Sequence, residues 1–479
     1  MESFDAAVIG GGVLGCFAAR ELTRWNVSVA LLEAREDVCT GITRANTAIV
    51  YPGYDHKPCT LKAEMTVRAN ARMEQLCREL DVPFSRCGSL MLSYGDRADA
   101  VLRKKYRDGL ANGVPGLRLL DGAEAEQMEP SLAHGVCSAL YAPTAGTVNP
   151  WELGIAAYEN ACRNGMVPHL ETTVLSIRVD SGGYLLETNR GVLRCRGVVN
   201  CAGLASDRVQ ELAYPSPVHV SVTAGDYLIL SKNAAHLPRH ILQLEPEDGG
   251  KGVAVVPTLE GSLLVGPSER EHAIDYAADR AGLSFVRSQL TRLLPETVSA
   301  EIIRSFAAVR PNPQRPDGGS IRSFVIDHPA PAFWSLIGVK TPGLTCAEEL
   351  GRHIAQQLAD ALGAEENPAF DPFRSGIRRA RDLPTQQRAE LVRKQPDYGE
   401  VVCLCEDVTK AEVLEAIHRG AVTLDGIKRR VGAGLGDCQG SRCRQTLIDL
   451  LSRELGVSPY AVRKDGAGSE ILGGKDDAL

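Results

Sequence analysis

The sequence predicts a mixed α/β fold in which a dinucleotide-binding domain is combined with an antiparallel-sheet domain, and a small helical domain follows at the C terminus. Three observations predict it. The chain opens with a glycine-rich strand, turn and helix, its middle alternates apolar and polar residues in short strands, and two pairs of cysteines lie near its end. These patterns are typical of a dinucleotide fold, an antiparallel sheet, and a metal or cluster site, respectively.

The composition indicates a globular protein of several domains. The chain has 479 residues, of which 44% are hydrophobic and 24% charged. One domain takes roughly 150 residues, so two or three domains are expected. The net charge of −7 disfavours binding to nucleic acid. The first apolar stretch follows acidic residues, and no apolar run is long enough to cross a membrane. We therefore expect a cytoplasmic protein with no transmembrane segment, at most in peripheral contact with a membrane.

The N-terminal segment has the pattern of a dinucleotide-binding unit. An apolar strand leads to Gly10, Gly12 and Gly15 in GxGxxG spacing, and a helical pattern follows. The first glycine makes the tight turn, the second lets the backbone approach a pyrophosphate, and the third lets helix and strand pack closely. A second strand, 27–32, leads to Glu33, whose carboxylate can accept hydrogen bonds from a ribose. The segment predicts a bound dinucleotide, either NAD or FAD.

The cysteines fall into two groups. Most stand singly among apolar neighbours, which is typical of reduced, buried thiols. Four are paired as Cys403-x-Cys405 and Cys438-xxxx-Cys443, with 32 residues between the pairs. Four thiolates suit either zinc or an iron–sulfur cluster. The single residue between Cys403 and Cys405 favours a cluster, because structural zinc sites usually have more residues between paired ligands.

A second nucleotide-contacting region is predicted between residues 171 and 203. It alternates apolar and polar residues through short strands and ends in Asn200, Cys201, Ala202 and Gly203. A hairpin that returns to a turn of small residues resembles the second signature of the FAD-binding two-dinucleotide-domain flavoproteins. The resemblance implies FAD as the cofactor, and it places Val174 where the backbone of that family contacts the adenine.

Further segments resemble the glycerol-3-phosphate dehydrogenase and L-2-hydroxyglutarate dehydrogenase branch of the amino-acid-oxidase-like (DAO) flavoproteins. GVKTPGLT, residues 338–345, is similar to the segment that closes over the flavin ring in that branch, and FAAVRP, residues 306–311, is similar to its FAGLRP. The blocks 60–94 and 142–153 resemble it as well. The resemblance implies that FAD is bound by Gly10, Gly12, Val13, Leu14, Gly15, Glu33, Ala34, Arg44, Asn46, Thr47, Val174, Cys201, Ala202, Gly203, Gly338, Thr341, Pro342, Gly343, Leu344 and Thr345.

Three residues are predicted to act on the substrate. Arg310 is expected where a strand gives way to a loop, and its guanidinium suits a carboxylate or phosphate. In the resembled family the arginine at this place holds the substrate anion. Tyr51 stands where the family usually has a histidine base, and a tyrosine with its ordinary pKa of about 10 is a poorer base. Lys340 is predicted to lower the pKa of Tyr51 or to be a base itself. Further candidates are Asn46, His56 and Lys57.

The paired cysteines resemble an electron-transfer module. KRRVGAGLGDCQGSRC, residues 428–443, is similar to a stretch of the bacterioferritin-associated-ferredoxin-like (BFD-like) [2Fe-2S] domain that is fused to anaerobic glycerol-3-phosphate dehydrogenase subunits. The resemblance implies a [2Fe-2S] cluster on Cys403, Cys405, Cys438 and Cys443. Because a flavin takes two electrons at once, a one-electron cluster gives them an exit to another protein. A partner acceptor is therefore expected, either a second flavoprotein or a quinone-linked subunit.

These segments predict an order of domains along the chain. A Pro-rich and then basic stretch after Glu365 indicates a tether between two domains. The predicted domains are an FAD-dependent oxidoreductase over 1–365, a linker over 366–398, the BFD-like domain over 399–460 and a tail over 461–479. The first is divided into FAD-binding parts at about 1–80, 145–210 and 325–365, and substrate-binding parts at about 81–144 and 211–324.

The function hypothesised from the sequence is an FAD-dependent dehydrogenase for a small anionic alcohol. Glycerol 3-phosphate is the leading substrate and a 2-hydroxy acid the next, with hydride passing to FAD and electrons leaving through the cluster to a partner protein. The missing histidine raises an alternative, an amino-acid or secondary-amine dehydrogenase, because a neutral amine needs no separate base. A second alternative is an electron-transfer subunit whose own substrate pocket is inactive.

Overall fold

The computed structural model describes residues 1–234, 237–250, 252–271 and 276–473. The chain forms two units. The first comprises Met1–Ala34 and Val38–Arg374, and the second comprises Arg35–Asp37 and the chain from Ser375 onward. No helix in the described ranges is long and apolar enough to span a membrane.

The α-helices of the described chain are, in order, α1 Val13–Leu22, α2 Leu61–Glu79, α3 Asp96–Ala111, α4 Gly122–Met128, α5 Pro150–Arg163, α6 Ser206–Glu211, α7 Arg280–Leu293, α8 Ala347–Leu362, α9 Thr385–Lys394, α10 Lys410–His418, α11 Leu424–Val431 and α12 Arg444–Leu455.

The β-strands are, in order, β1 Glu2–Ile9, β2 Val29–Leu32, β3 Ile49–Val50, β4 Phe84–Ser85, β5 Ser89–Ser93, β6 Arg118–Asp121, β7 Ser138–Ala142, β8 Gly146–Val148, β9 Val167–His169, β10 Val174–Asp180, β11 Gly183–Thr188, β12 Gly191–Asn200, β13 His219–Leu230, β14 Ile241–Leu244, β15 Ala254–Pro257, β16 Leu263–Gly266, β17 Arg270–Glu271, β18 Ile302–Gln314, β19 Val325–Ala330, β20 Phe333–Ile337, β21 Val401–Cys403 and β22 Val408–Thr409.

A largely parallel sheet carries the N-terminal motif of the first unit. Strand β1 pairs in parallel with β2 and β12, and β9 and β20 extend the sheet, also in parallel. The hairpin β10–β11 pairs with the beginning of β12 in antiparallel fashion. Apolar side chains of α1 and α8, such as Phe17 and Leu350, are fully buried in a core with Val8 and Leu31 of the sheet. This confirms the predicted α/β fold class.

Local sequence explains where the helices of this layer begin and end. The side chain of Asn149 accepts hydrogen bonds from the N–H groups of Trp151 and Glu152, and Pro150 occupies the first helical position of α5. Helix α8 ends at Gly363, which has a φ of +66°. Glycine adopts this left-handed conformation without strain, so the chain can turn there.

An antiparallel sheet forms the second part of the first unit, which was predicted to bind the substrate. Its strands lie in the order β17, β13, β16, β15, β14, β5, β7 and β6, with only the pair β14 and β5 parallel, and β18 pairs with β13 along nearly its whole length. Among the described residues β18 has no second partner strand, so it is an edge strand. Pro311 and Pro313 are tolerated in it because an edge strand can lack outward N–H donors.

The length of β18 corrects one prediction. The sequence suggested that the strand would end at Arg310, before a proline. Instead the strand continues to Gln314, and Arg310 lies opposite Thr223 of β13. Arg310 is therefore held by a regular sheet, and its side chain projects from a strand and not from a loop.

The second unit is small and mainly helical. Helices α10, α11 and α12 bury Val413, Ile427 and Leu451 in one core, and β21 and β22 form a short hairpin beside it. Within this unit the buried carboxylate of Asp37 accepts hydrogen bonds from Arg430 over 2.7 and 2.8 Å. Residues 474–479 of the predicted tail lie outside the described residues.

The segment predicted as a linker divides between the two units. Asn367 donates from its N–H to the Arg24 carbonyl, and Arg374 donates to the Leu80 carbonyl and to Glu159, so residues 366–374 are fixed to the first unit. The remainder, 375–398, belongs to the second unit and contains α9. The division differs from the predicted linker because hydrogen bonds of the backbone and of Arg374 fix the first part of the segment. A basic, proline-rich composition does not reveal such bonds.

Candidate functional site

The turn between β1 and α1 is the first part of the predicted flavin site. Gly10 has a φ of +104°, and its N–H donates to the Leu32 carbonyl over 2.8 Å. A Cβ on Gly15 would lie 1.8 Å from the Gly10 carbonyl oxygen, whereas a Cβ on Gly12 would meet only Thr43 Oγ1 at 3.4 Å. The protein is therefore close-packed at Gly10 and Gly15 and open at Gly12. A pyrophosphate at the start of α1, beside Val13 and Leu14, requires this arrangement.

Glu33 follows β2 and lies against the same turn. Its Oε2 accepts a hydrogen bond of 2.6 Å from the Gly11 N–H, and its carbonyl accepts one of 2.8 Å from the Thr172 N–H. The second bond brings the start of β10, with Val174, to the end of β2. The carboxylate thus sits where a ribose-binding group of this fold is expected, and Ala34 beside it is exposed.

The residues after β12 lie on the other side of Gly10. The Cys201 N–H donates to the Ile9 carbonyl over 2.8 Å, and a Cβ on Gly10 would lie 2.5 Å from the Cys201 carbonyl oxygen. Gly203 has a φ of +59° and begins a short 3-10 turn after Ala202. The structure therefore brings the predicted residues 201–203 next to the glycine turn, although they are far from it in sequence.

The segment between β20 and α8 is the third part of the predicted flavin site. Gly338 has a φ of +62°, and the Gly343 N–H donates to the Lys340 carbonyl over 2.6 Å, so the chain turns tightly before the helix. The buried hydroxyl of Thr345 accepts a hydrogen bond of 3.0 Å from the Tyr51 N–H. This bond connects the flavin segment with the residue predicted to act on the substrate. The same turn contains Thr341, Pro342 and Leu344.

The loop before Tyr51 is stabilised by its own side chains. Asn46 donates to the Thr43 carbonyl over 3.0 Å and accepts from the Ala48 N–H over 2.7 Å. The Arg44 carbonyl accepts a hydrogen bond of 2.9 Å from the indole of Trp151. Asn46 therefore holds the loop in shape, and contacts to FAD from this region are expected from the backbone and from Arg44 and Thr47.

Arg310 is the centre of the candidate substrate site. Its Nη2 donates to the hydroxyl of Tyr227 over 3.3 Å. Its Nη1 is buried and has no hydrogen-bond partner in the described part of the chain. Leaving a buried donor unpaired is costly, so this nitrogen is suited to receive an oxygen of a bound anion. Tyr227 was missed by the sequence reasoning because its proximity to Arg310 depends on the register of β13 and β18.

Lys340 adds positive charge near Arg310, and Lys62 adds positive charge near Lys340. Lys340 Nζ donates to Asn312 Oδ1 over 2.7 Å, and burial, followed by the charge of Arg310, lowers the pKa of Lys340. Lys62 donates to the Arg322 carbonyl over 3.1 Å; burial and then the charge of Lys340 lower its pKa to about 8. Lys62, Arg310 and Lys340 have no ion pair within 4.0 Å in the described ranges, although the more distant carboxylates of Glu269 and Asp55 act on Lys340 and Lys62, respectively. Sequence reasoning missed Lys62, although it lies in the block 60–94 that resembles the family.

The pKa values of Tyr51 and His56 make both side chains poor general bases near pH 7. Burial raises the pKa of Tyr51 to about 12, and the nearby charge of Arg310 lowers it too little to reverse this. Burial lowers the pKa of His56 to about 4, so the imidazole is neutral near pH 7. Tyr51 therefore keeps its proton and is suited to form hydrogen bonds, while a role as the general base is unfavourable.

The four paired cysteines meet in the second unit. The thiols of Cys403 and Cys443 are hydrogen-bonded to each other, and so are those of Cys405 and Cys438. The Cys443 thiol and the N–H groups of Gly434, Glu406 and Cys405 lower the pKa of Cys403 to about 6. A thiolate is the form that binds metal.

The pairwise arrangement of these thiols fits a two-iron cluster. Among the described residues no group of three or more His, Cys, Asp or Glu side chains is placed to hold a metal ion. The thiols form two pairs, and a [2Fe-2S] cluster takes four thiolates over two irons. A Cβ on Gly436 would lie 2.6 Å from the Cys405 Cβ, so the backbone approaches this cysteine as closely as a glycine permits.

Comparison with known proteins assigns both parts of the chain. Residues 5–357 match the family described as FAD dependent oxidoreductase (DAO), and residues 401–453 match the BFD-like [2Fe-2S] binding domain. The fold and the glycine turn thus define an FAD-dependent oxidoreductase, and the C-terminal domain defines a [2Fe-2S] protein. The chain belongs to the DAO family.

Individual relatives agree with this assignment. A glycerol 3-phosphate dehydrogenase of Caloramator mitchellensis is 38% identical over 479 residues, which is 98% of each chain. Human mitochondrial L-2-hydroxyglutarate dehydrogenase is 26% identical over 381 residues, 68% of this chain and 81% of the relative. The structure of L-alpha-glycerophosphate oxidase of Mycoplasma pneumoniae with FAD bound has a TM-score of 0.71 at 23% identity, covering 78% of this chain and 99% of that one.

Substitution of the two glycines should separate flavin binding from folding. Gly12→Ala places a methyl group in open space on the protein side, so we expect a folded protein that has lost most of its FAD. Gly15→Ala forces a methyl group against the Gly10 carbonyl, so we expect a large loss of stability even without flavin. Flavin absorbance per chain and the thermal midpoint of the apoproteins measure the two effects. Equal flavin content in Gly12→Ala and the native protein would contradict the assignment.

Replacement of one cluster cysteine should remove iron without removing flavin. In Cys405→Ser we expect iron and acid-labile sulfide to fall to near zero, with the flavin content retained, because the serine replaces one of four required thiolates. Cys137→Ser is the matched control, since this exposed cysteine lies in the first unit. Metal analysis of the anaerobically purified proteins gives the result, and zinc in place of iron in the native protein would disprove the cluster.

Proposed function

We propose that this protein is an FAD-dependent dehydrogenase that oxidises a small anionic alcohol, with glycerol 3-phosphate as the leading substrate and a related 2-hydroxy acid as the next. The observation that carries the proposal is the unpaired, buried Nη1 of Arg310 beside Lys340. An anion near these groups would satisfy the nitrogen and gain from two positive charges, neither of which is in a close ion pair with a described carboxylate, although Glu269 acts on Lys340 from further away. When bound, FAD supplies the acceptor for a hydride from the substrate carbon, and the hydroxyl proton is proposed to pass to the deprotonated fraction of Lys340, whose pKa is lowered.

The family relationships support the same substrate class. The relative that is 38% identical over 98% of each chain is named a glycerol 3-phosphate dehydrogenase, and the human relative is named an L-2-hydroxyglutarate dehydrogenase. Both names describe an alcohol that also carries a phosphate or carboxylate. In the present chain Arg310 is proposed to bind that anionic group, Lys340 to add charge beside it, and Tyr51 to hydrogen-bond a substrate oxygen.

The state of Tyr51 favours a second candidate, an amino-acid or secondary-amine dehydrogenase. Oxidation of an alcohol requires a group that takes the hydroxyl proton, and Tyr51 with a pKa of about 12 is poorly matched to that task. A neutral amine loses a hydride without this step, and the carboxylate of an amino acid would still bind Arg310. Product analysis distinguishes a carbonyl compound from ammonia or an imine.

The electrons are proposed to leave through the [2Fe-2S] cluster to a partner protein, either a second flavoprotein or a quinone-linked subunit. The presence of a BFD-like domain in the same chain supports this route, because a cluster passes single electrons whereas the substrate releases two. In the remaining alternative the chain is an electron-transfer subunit with an inactive pocket. It would then be reduced by a partner protein and by no small substrate.

Anaerobic flavin reduction tests the proposed substrate class. The holoenzyme is mixed with glycerol 3-phosphate, 2-hydroxy acids, glycerol, and amino acids, and flavin absorbance is followed. We expect rapid bleaching by glycerol 3-phosphate or a 2-hydroxy acid and little by neutral glycerol, because only the anions can pair with Arg310. Bleaching by amino acids alone would establish the amine dehydrogenase, and no bleaching by any compound would establish the inactive pocket.

The charge of Lys62 predicts how substrate affinity depends on pH. A lysine is positive below its pKa, so raising the pH through about 8 removes a charge near Lys340. The half-saturating concentration of the anionic substrate should therefore rise several-fold above pH 8 in the native enzyme. In Lys62→Gln it should be higher at pH 7 and nearly flat through this range. Lys57→Gln, which alters an exposed lysine of the neighbouring loop, is the control and should behave as the native enzyme does.

A further inference from the structure

We propose that Gly225 and Tyr227 of β13 are positioning residues that fix the orientation of Arg310 and thereby set the affinity for the anionic group of the substrate. The inference deepens the proposed function and rests on it, since it takes Arg310 as the anion-binding group. It adds two residues on a different strand, neither of which carries a charge.

The register of β13 and β18 places these residues along the path of the arginine side chain. Arg310 lies opposite Thr223, and the next pairs on the same face are Gly225 with Ala308 and Tyr227 with Phe306. Residues two apart along a strand project to the same side, and long side chains reach their diagonal neighbours. The guanidinium of Arg310 therefore extends over Gly225 toward Tyr227, and the hydrogen bond between Nη2 and the tyrosine hydroxyl shows that it arrives there.

The absence of a side chain at Gly225 makes this path possible. A Cβ at this position would lie 2.8 Å from Arg310 Nη2, 2.6 Å from the Ser268 carbonyl oxygen and 2.7 Å from the Pro267 Cβ. These separations are shorter than ordinary van der Waals contact. Any larger residue would have to displace the guanidinium, the backbone at Ser268, or both.

Tyr227 is itself rigidly held. Its side chain is almost fully buried, and its ring stacks on Phe306 with 4.9 Å between ring centroids and an angle of 6° between the ring planes. Such stacking restricts the ring and so the position of its hydroxyl oxygen. A fixed acceptor for one guanidinium nitrogen limits the orientations of the whole planar group, because the nitrogens of arginine keep a constant geometry.

A neutral acceptor suits this role better than a carboxylate. An aspartate or glutamate in place of Tyr227 would also hold the guanidinium, but its negative charge would offset the positive charge that attracts the substrate. The tyrosine hydroxyl accepts a hydrogen bond from Nη2 and adds no negative charge beside Arg310. Nη1 remains buried without a partner in the described chain, aligned by the bond on the other nitrogen.

The test measures anion affinity in the holoenzyme and uses Tyr227→Phe, which removes only the hydroxyl. Inorganic phosphate is titrated into the oxidised protein and the change in flavin absorbance gives its Kd. Loss of a hydrogen bond to a charged group should raise this Kd roughly 5- to 10-fold. In anaerobic mixing experiments the half-saturating substrate concentration should rise by a similar factor. The limiting rate of flavin reduction should fall by a smaller factor.

Tyr214→Phe is the matched control. The hydroxyl of Tyr214 also lies in a hydrogen bond of 3.3 Å, to Tyr184, but in the part of the chain around the parallel sheet. Its removal should leave both the phosphate Kd and the half-saturating concentration within about twofold of the native values, because the lost bond does not involve Arg310. Gly225→Ala is the second test variant and should weaken phosphate binding at least as much as Tyr227→Phe. The flavin content and thermal midpoint of Gly225→Ala show whether this variant has folded. If it has not folded, the result for Tyr227→Phe alone tests the positioning role.

The outcomes separate this inference from the proposed function. Equal phosphate affinity in the native protein and Tyr227→Phe overturns the positioning role, even where glycerol 3-phosphate reduces the flavin. The same conclusion follows where the native protein binds no phosphate. Where phosphate binds and Tyr227→Phe weakens it, but no anionic alcohol reduces the flavin, the positioning role stands and the proposed substrate class fails.

Discussion

The antiparallel pairing of β13 with β18 is the constraint on which the candidate substrate site depends. It extends from His219 opposite Gln314 to Leu230 opposite Ile302, and each step of this register decides which side chains share a face. A shift by one residue would move Arg310 to the opposite face of the sheet and away from Tyr227. Arg310, the proposed anion-binding group, is thus positioned by a long ladder of backbone hydrogen bonds, and the prolines that follow it are tolerated because the strand lies at an edge.

The predicted flavin site depends on a different constraint, the close approach of backbones at the carboxyl ends of parallel strands. The turn after β1, Glu33 after β2 and the residues after β12 converge because neighbouring parallel strands end at the same edge of a sheet. At Gly10 and Gly15 this approach leaves no room for a Cβ. The space beside Gly12 is open, so a pyrophosphate can approach the backbone there.

The sequence predicted those parts of the two sites whose residues lie close together along the chain. The glycine turn, Glu33 and the cysteine pairs follow from spacing within short segments, which left NAD or FAD and zinc or a cluster as alternatives. The family resemblance implied FAD and a [2Fe-2S] cluster, and these cofactors and the fold class are confirmed. The prediction that the strand ends at Arg310 was wrong. A proline after a strand residue usually indicates the end of a strand, and the sequence does not show that β18 is an edge strand, which tolerates proline. Tyr227, Gly225 and Lys62 were missed since their relation to Arg310 and Lys340 arises only when distant segments pair. The roles of Tyr51, Arg310 and Lys340 in the reaction stay predictions.

The central claim is that the charge of Arg310, unpaired and oriented by the sheet, selects an anionic substrate. The most direct measurement compares kcat/KM for glycerol 3-phosphate and for neutral glycerol in the native enzyme, in Arg310→Met, and in Arg315→Met as a control on an exposed arginine just beyond the same strand. We predict that Arg310→Met lowers kcat/KM for glycerol 3-phosphate by about 100-fold or more, with little change for glycerol, while Arg315→Met changes neither. Equal losses for both substrates, or no loss for glycerol 3-phosphate, would contradict the account.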